Sequence, residues 1–268
     1  MAVPAHVLVF DSGVGALSII QEIRQLIPNC SITYASDNAF FPYGNKEEDL
    51  LISRVDDVLK KLGAVYTPDI IVVACNSAST VALPKIRDHF TIPTVGVVPA
   101  IRPAAQQSQS RVIGLLATPG TVKRRYTLEL IQEFAPDCEV ISIGSSELVQ
   151  QAERKIQGLE LDAAVVNAVI DELFNSPRGE EIDTVVLACT HFPLLKNELM
   201  ASAPKSVTWV DSGNAIARRV NYWIEQKQLS LIGDAKYRSV FTGTPFQSES
   251  FKSALANFLP GPIETITV

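Results

Sequence analysis

Four cysteines in 268 residues, Cys30, Cys75, Cys138 and Cys189, stand too far apart for a CxxC pair, a zinc knuckle or a disulfide-stapled secreted fold. No apolar run is long enough to cross a bilayer, so no membrane partner is expected. The first expected strand, His6 to Phe10, begins too early to leave room for a basic segment and an apolar signal region. Reduced thiols and the missing signal make a cytoplasmic location the expectation. Positive charge is also in short supply: 23 Lys and Arg against 29 Asp and Glu leave a formal charge of −6. The densest basic stretch, Lys123-Arg124-Arg125, is short and is expected on one helix face, which does not support a nucleic acid partner. A small anionic substrate stays admissible, because backbone N–H groups at helix N-termini hold a carboxylate without a lysine. Neither a pyridoxal phosphate lysine motif nor a metal-ligand cluster is visible, so the chemistry is expected to need no cofactor and no metal.

What the chain does contain is alternation. Apolar runs rich in Val and Ile, at Val7 to Phe10, Ile70 to Ala74, Val112 to Ala117 and Thr184 to Ala188, are separated by segments of helical periodicity. Those segments are Ala16 to Ile27, Glu47 to Leu62, Ser79 to Phe90, Val122 to Phe134, Leu161 to Phe174 and Asn214 to Ile224. This pattern predicts an α/β fold of parallel sheets covered by helices. The stretch Pro99 to Ser110 reads as a connection between two such series. Each series has an Ala-Cys step at a strand end, Ala74-Cys75-Asn76-Ser77 and Ala188-Cys189-Thr190-His191, each followed by a helix. The halves therefore look like diverged relatives. A pseudo-dyad would bring Cys75 and Cys189 face to face in one cleft beyond the carboxyl ends of the strands.

A cysteine is most often a small buried filler, and Cys30 and Cys138 are read that way. Cys75 and Cys189 differ because each precedes polar residues at an expected helix start, a position that lowers a thiol pKa from about 8.5 toward 7 or below. One capping residue would suffice there. Asn76, Ser77, Ser79 and Thr80 after the first cysteine, and Thr190 and His191 after the second, exceed that need. His191, two residues from a candidate thiol, is placed to exchange a proton with it or with a substrate, whereas His6 and His89 read as structural. Asp11 precedes Ser12-Gly13-Val14-Gly15, whose glycines let backbone approach a ligand closely. That segment also imitates a dinucleotide fingerprint, with Asp37 after the next strand, but Ser18 replaces the last glycine and a carboxylate at Asp11 would face a pyrophosphate. Phe41-Pro42-Tyr43-Gly44 reads as a turn whose phenol closes over a ligand or merely anchors the loop.

Taken in order, Asp11-Ser12-Gly13-Val14-Gly15, Pro42-Tyr43-Gly44, Ala74-Cys75-Asn76-Ser77-Ala78-Ser79, Gly114 to Thr121, Ala188-Cys189-Thr190-His191-Phe192-Pro193 and Val210-Asp211-Ser212-Gly213 resemble the glutamate racemases over nearly the whole chain. Three positions depart from the usual family pattern. Ala16 replaces a third loop glycine, Ser77 a threonine, and Ala188 a glycine often found before the second cysteine; Ser77 keeps its hydroxyl.

The resemblance implies two pseudo-symmetric parallel-sheet domains, residues 1–98 with 206–268 and residues 99–205, with the active site in the cleft between them. It implies that Cys75 and Cys189 are the acid and base, assisted by Asp11, His191 and Glu153. Asp11, Ser12, Pro42, Tyr43, Gly44, Asn76, Ser77, Thr190 and His191 would bind the substrate, glutamate. It implies no cofactor, admits a homodimer, and points to D-glutamate for peptidoglycan. Inverting a stereocentre needs a base on one face and an acid on the other, exchanging roles with the enantiomer, and two equivalent thiols supply that symmetry. The competing readings are an aspartate racemase, a Cys189–His191 hydrolase that leaves Cys75 idle, a two-domain amino acid binding protein, and a redox dithiol.

Overall fold

The computed structural model describes residues 4–268; residues 1–3, with which the first expected unit begins, lie outside the described residues. The first part of the chain runs β1 (His6–Asp11), α1 (Ala16–Leu26), β2 (Ser31–Ser36), α2 (Glu48–Tyr66), β3 (Ile70–Val73), α3 (Asn76–His89) and β4 (Thr94–Gly96). The second part follows as α4 (Ile101–Gln107), β5 (Val112–Ala117), α5 (Pro119–Lys123), α6 (Arg125–Phe134), β6 (Glu139–Gly144), α7 (Glu147–Ile156), α8 (Ala163–Phe174), β7 (Thr184–Leu187), α9 (Lys196–Ser202) and β8 (Thr208–Val210). The chain closes with α10 (Gly213–Gln226), β9 (Tyr237–Phe241), α11 (Glu249–Phe258) and β10 (Ile263–Thr265).

Two sheets form, ordered β10-β9-β2-β1-β3-β4 and β6-β5-β7-β8, and every strand pairing is parallel. The segment β2-β1-β3-β4 repeats in β6-β5-β7-β8: in each, the first strand lies between the second and third, and the fourth lies beyond the third. The strands read as unbroken apolar runs because both faces are covered. In β1, Val7 and Val9 join the core under α1 and α10, while Leu8 and Phe10 join the core under α2 and α3. In β5, Val112 and Leu116 face one core, and Ile113, Leu115 and Ala117 face the other. Helix α1 shows the complementary spacing, with Ala16, Ile19, Ile20 and Ile23 buried on one stripe and Gln21 and Gln25 exposed.

Three expectations need correction. Pro99 to Ser110 contains a helix, α4, because Ile101, Ala104 and Ala105 present one apolar face to Ile113 and Leu115 of the second sheet. The single helix expected over Val122 to Phe134 breaks at Arg124, whose backbone is extended (φ −69°, ψ 138°) between α5 and α6. No α-helix starts directly after Cys189. The N–H groups of Phe192 and Leu194 bond the carbonyls of Cys189 and His191, closing tight turns ahead of α9. Strand β8 pairs with β7, so the second sheet runs to Val210. Among the described residues no helix is long and apolar enough to cross a membrane.

Candidate active site

The carboxyl ends of the central strands carry the candidate residues. Asp11 ends β1, Cys75 stands two residues beyond β3, Thr118 follows β5, and Cys189 stands two residues beyond β7. Cys75 is the N-cap of α3, and its side chain accepts no capping hydrogen bond there. Both thiols are free and buried, each 6% exposed. They border one narrow cavity together with Ser12, Pro42, Tyr43, Gly44, Ser77, Thr118 and His191. Cys30 is packed in the core with its thiol against the Ala5 carbonyl, where burial pushes its pKa up to about 12.

Asp11 is fully buried, and burial pushes its carboxyl up to about 6 against the opposing pull of His191 and Thr190. Its Oδ1 accepts the Ser12 N–H at 2.6 Å, and its Oδ2 accepts the Thr190 hydroxyl at 2.9 Å. Beside this carboxyl, His191 Nε2 lies 2.8 Å from Glu153 Oε1, and its Nδ1 lies 3.8 Å from the Cys189 sulfur. Burial opposes a charge on this imidazole, but the adjoining Cys189 and Glu153 outweigh it and hold the pKa well above the ordinary histidine value. Glu153 is fixed in turn by the Val14 N–H at 2.8 Å. The loop glycines make this packing possible. A β-carbon on Gly13 would stand 2.1 Å from Glu153 Oε1, and one on Gly15 would stand 2.5 Å from His191 Nδ1 and 2.6 Å from Asp11 Oδ2.

Several assignments change in detail. The Cys75 thiol is not lowered by its helix start: burial, and then the negative charge of Asp11, push it well above the ordinary value. The Tyr43 phenol is not free to close over a ligand. It donates to Asp37 Oδ2 at 2.6 Å, and the Arg54 guanidinium and the Thr242 hydroxyl hold the same carboxylate, so Tyr43 offers the cavity its ring. Asn76 and Thr190 border a smaller void behind the cleft with Ser18, Asp211 and Ser212, and the buried Asn76 Oδ1 has no partner. Arg124 is a residue that sequence reasoning missed. It turns inward from the basic stretch expected on a surface, and its Nη1 donates to the Ser77 carbonyl at 2.5 Å. His6 and His89 lie elsewhere, against Thr33 and Asp56. Among the described residues no group of three or more His, Cys, Asp or Glu side chains gathers for a metal.

Residues 17–220 match the Asp/Glu/Hydantoin racemase family. The chain is 50% identical over 218 residues to the glutamate racemase of Pectobacterium carotovorum, covering 81% of this chain and 76% of that one. It is 47% identical over 251 residues to the glutamate racemase of Aliivibrio fischeri, covering 94% and 89%. The crystal structure of Escherichia coli glutamate racemase in complex with L-glutamate and the activator UDP-MurNAc-Ala superposes with a TM-score of 0.92 at 41% identity, covering 99% of each chain. The two sheets of like topology, the shared cleft and these likenesses agree: this chain is an isomerase that belongs to the Asp/Glu/Hydantoin racemase family.

Proposed function

We propose that the protein interconverts L- and D-glutamate without a cofactor, with Cys75 and Cys189 carrying the α-proton on opposite faces of the substrate. One observation carries this reading: two free, buried thiols stand at equivalent positions in two like-ordered sheets and border one cavity. Cys75, held as a thiol by burial and by Asp11, is ready to donate a proton. Cys189, 3.8 Å from the His191 ring, has an adjoining group with which to trade one. The roles reverse when the other enantiomer binds.

An amino acid α-proton is a very weak acid, so charge developing in the transition state needs fixed dipoles and donors in a site shielded from water. The N–H groups in the first turn of α3 and in the turn after Cys189 serve here, with the hydroxyls of Ser12 and Ser77. Asn76 and Thr190 are assigned to substrate binding through the main chain, since these residues border the smaller void and the Thr190 hydroxyl is engaged by Asp11. Pro42, Tyr43 and Gly44 line the same cavity as the thiols. Asp11, ionised above about pH 6, meets the substrate ammonium near Cys75. Glutamate is the proposed substrate because the relatives that match over most of the chain carry that name.

The deciding measurement is circular dichroism of D-glutamate with purified protein and no added cofactor, in deuterated water, beside Cys75→Ser and Cys189→Ser. Decay toward the racemate with deuterium at the α-carbon, lost or crippled in both variants, is expected. No decay in the wild type, together with decay of aspartate, would move the assignment to aspartate. The cellular role read with this activity is supply of D-glutamate for peptidoglycan in the cytoplasm. Growth of a deletion strain lacking any other D-glutamate source, without added D-glutamate, would contradict it.

A further inference from the structure

Arg124 is 6% exposed, and the described partners of its guanidinium all belong to helices flanking the other sheet. Nη1 donates to the Ser77 carbonyl at 2.5 Å and to the Thr80 hydroxyl at 3.0 Å, both on α3, and Nε lies 3.5 Å from Glu48 Oε1 on α2. Arg124 itself sits at the corner between α5 and α6, beside the second sheet. A buried guanidinium with no such partners would be costly, so the arrangement makes sense only while the two layers are together. Ser77 is gripped from two sides. Arg124 holds its carbonyl, while its hydroxyl lies 3.2 Å from Thr118 Oγ1 and 3.4 Å from Thr121 Oγ1 at the start of α5. The backbone so clamped is the first turn of α3, two residues from the Cys75 sulfur.

We infer that Arg124 is a positioning residue that latches the closed cleft, tying the α5–α6 corner to the first turn of α3 so that Ser77 and Cys75 meet substrate in a fixed register. It touches no reacting atom. A substrate enclosed in a cavity this narrow enters and leaves only if the layers part, and parting exposes the guanidinium to water, where its lost bonds are replaced. The latch therefore acts on the whole bound state, ground state and transition state alike, and its loss raises KM far more than it lowers kcat. The inference rests on the racemase reading for its kinetics alone.

The test takes Arg124→Met, Arg124→Lys and Thr80→Val. In racemisation of glutamate, Arg124→Met is expected to raise KM at least tenfold with kcat within threefold of wild type, Arg124→Lys to recover part of that loss, and Thr80→Val to raise KM two- to threefold. Guanidinium ion at millimolar concentration is expected to lower the KM of Arg124→Met. Amide hydrogen exchange over residues 76–80 is read in parallel and needs no turnover: exchange in Arg124→Met is expected to quicken there and not in β1 or β5. Wild-type KM in Arg124→Met, or a kcat loss with KM unchanged, overturns the latch. Unchanged exchange over residues 76–80 overturns it even if the wild type proves inactive on glutamate, which would separately sink the racemase reading. If the Arg124 variants fail to fold, unchanged KM and exchange in Thr80→Val overturn it.

Discussion

Asp11 shows how one buried carboxyl sets a pH dependence of opposite sign from the usual aspartate. Its pKa is raised from 3.8 to about 6 by burial. Below about pH 4 the group is protonated in both folded and unfolded chains and costs nothing. Between there and about pH 6 the unfolded chain sheds a proton that the folded one retains, so stability falls as pH rises through this window. That rise corresponds to on the order of 3 kcal/mol of stability given up at neutral pH to keep a carboxylate in the cleft. His191, also raised, contributes stability that is complete below the ordinary histidine value and is lost as pH climbs through its folded pKa. Asp11→Asn is therefore expected to lower kcat about a hundredfold, to erase an acid limb near pH 6 in kcat/KM, and to unfold at the same or higher temperature than wild type at pH 7.5. Rate profiles and calorimetry at pH 5 and 7.5 check both halves. A variant that keeps the acid limb would assign it to another group.

Helix α5 is only five residues long and owes its place to its ends: Pro119 in the first turn, and the Thr118 hydroxyl accepting the Thr121 N–H at 3.3 Å. The same hydroxyl faces Ser77 across the cleft. Thr118→Val keeps the shape and removes both contacts, so a loss of about 1 kcal/mol in urea unfolding and a raised KM for glutamate are expected together. A stability loss with unchanged KM would confine Thr118 to capping. Such elements also mark what the sequence disclosed. The β1, β3, β5 and β7 runs were legible because strands covered on both faces are apolar throughout, and Cys75 and Cys189 were legible because polar residues follow each in excess of any cap. Helix α4 was hidden because its apolar face is made of alanines and one isoleucine amid Gln and Ser, a composition shared with linkers. Arg124 was hidden because charge reads as surface, and only the α5–α6 break turns that side chain inward. Glu153 had no local signal: its partner His191 is 38 residues away, and only the family resemblance pointed to it.

Across the whole molecule, the two like-ordered sheets present one thiol each to the shared cavity, which makes a prediction that neither half alone would. L- and D-glutamate have equal free energies in water, so the reaction must run equally well from either end, and each thiol should abstract the proton of one enantiomer only. In deuterated water, Cys189→Ser is expected to retain slow α-hydrogen exchange from one enantiomer and lose it from the other, with Cys75→Ser showing the opposite preference by proton NMR. Equal residual exchange from both enantiomers in either variant would contradict a two-sided mechanism.

The polar wiring between these halves is crossed. The hydroxyl of Thr190, in the second layer, holds Asp11 of the first; the Val14 N–H, in the first, holds Glu153 of the second; and the Ser18 hydroxyl lies 2.8 Å from the Thr190 carbonyl. With Gly13 and Gly15 leaving no room for a β-carbon against these partners, the segments 11–18, 153 and 188–193 form one recombination unit scattered over the chain. Chimeras built from divergent relatives by exchanging either layer alone would break that unit, whereas chimeras that carry all three segments from one parent would inherit it whole.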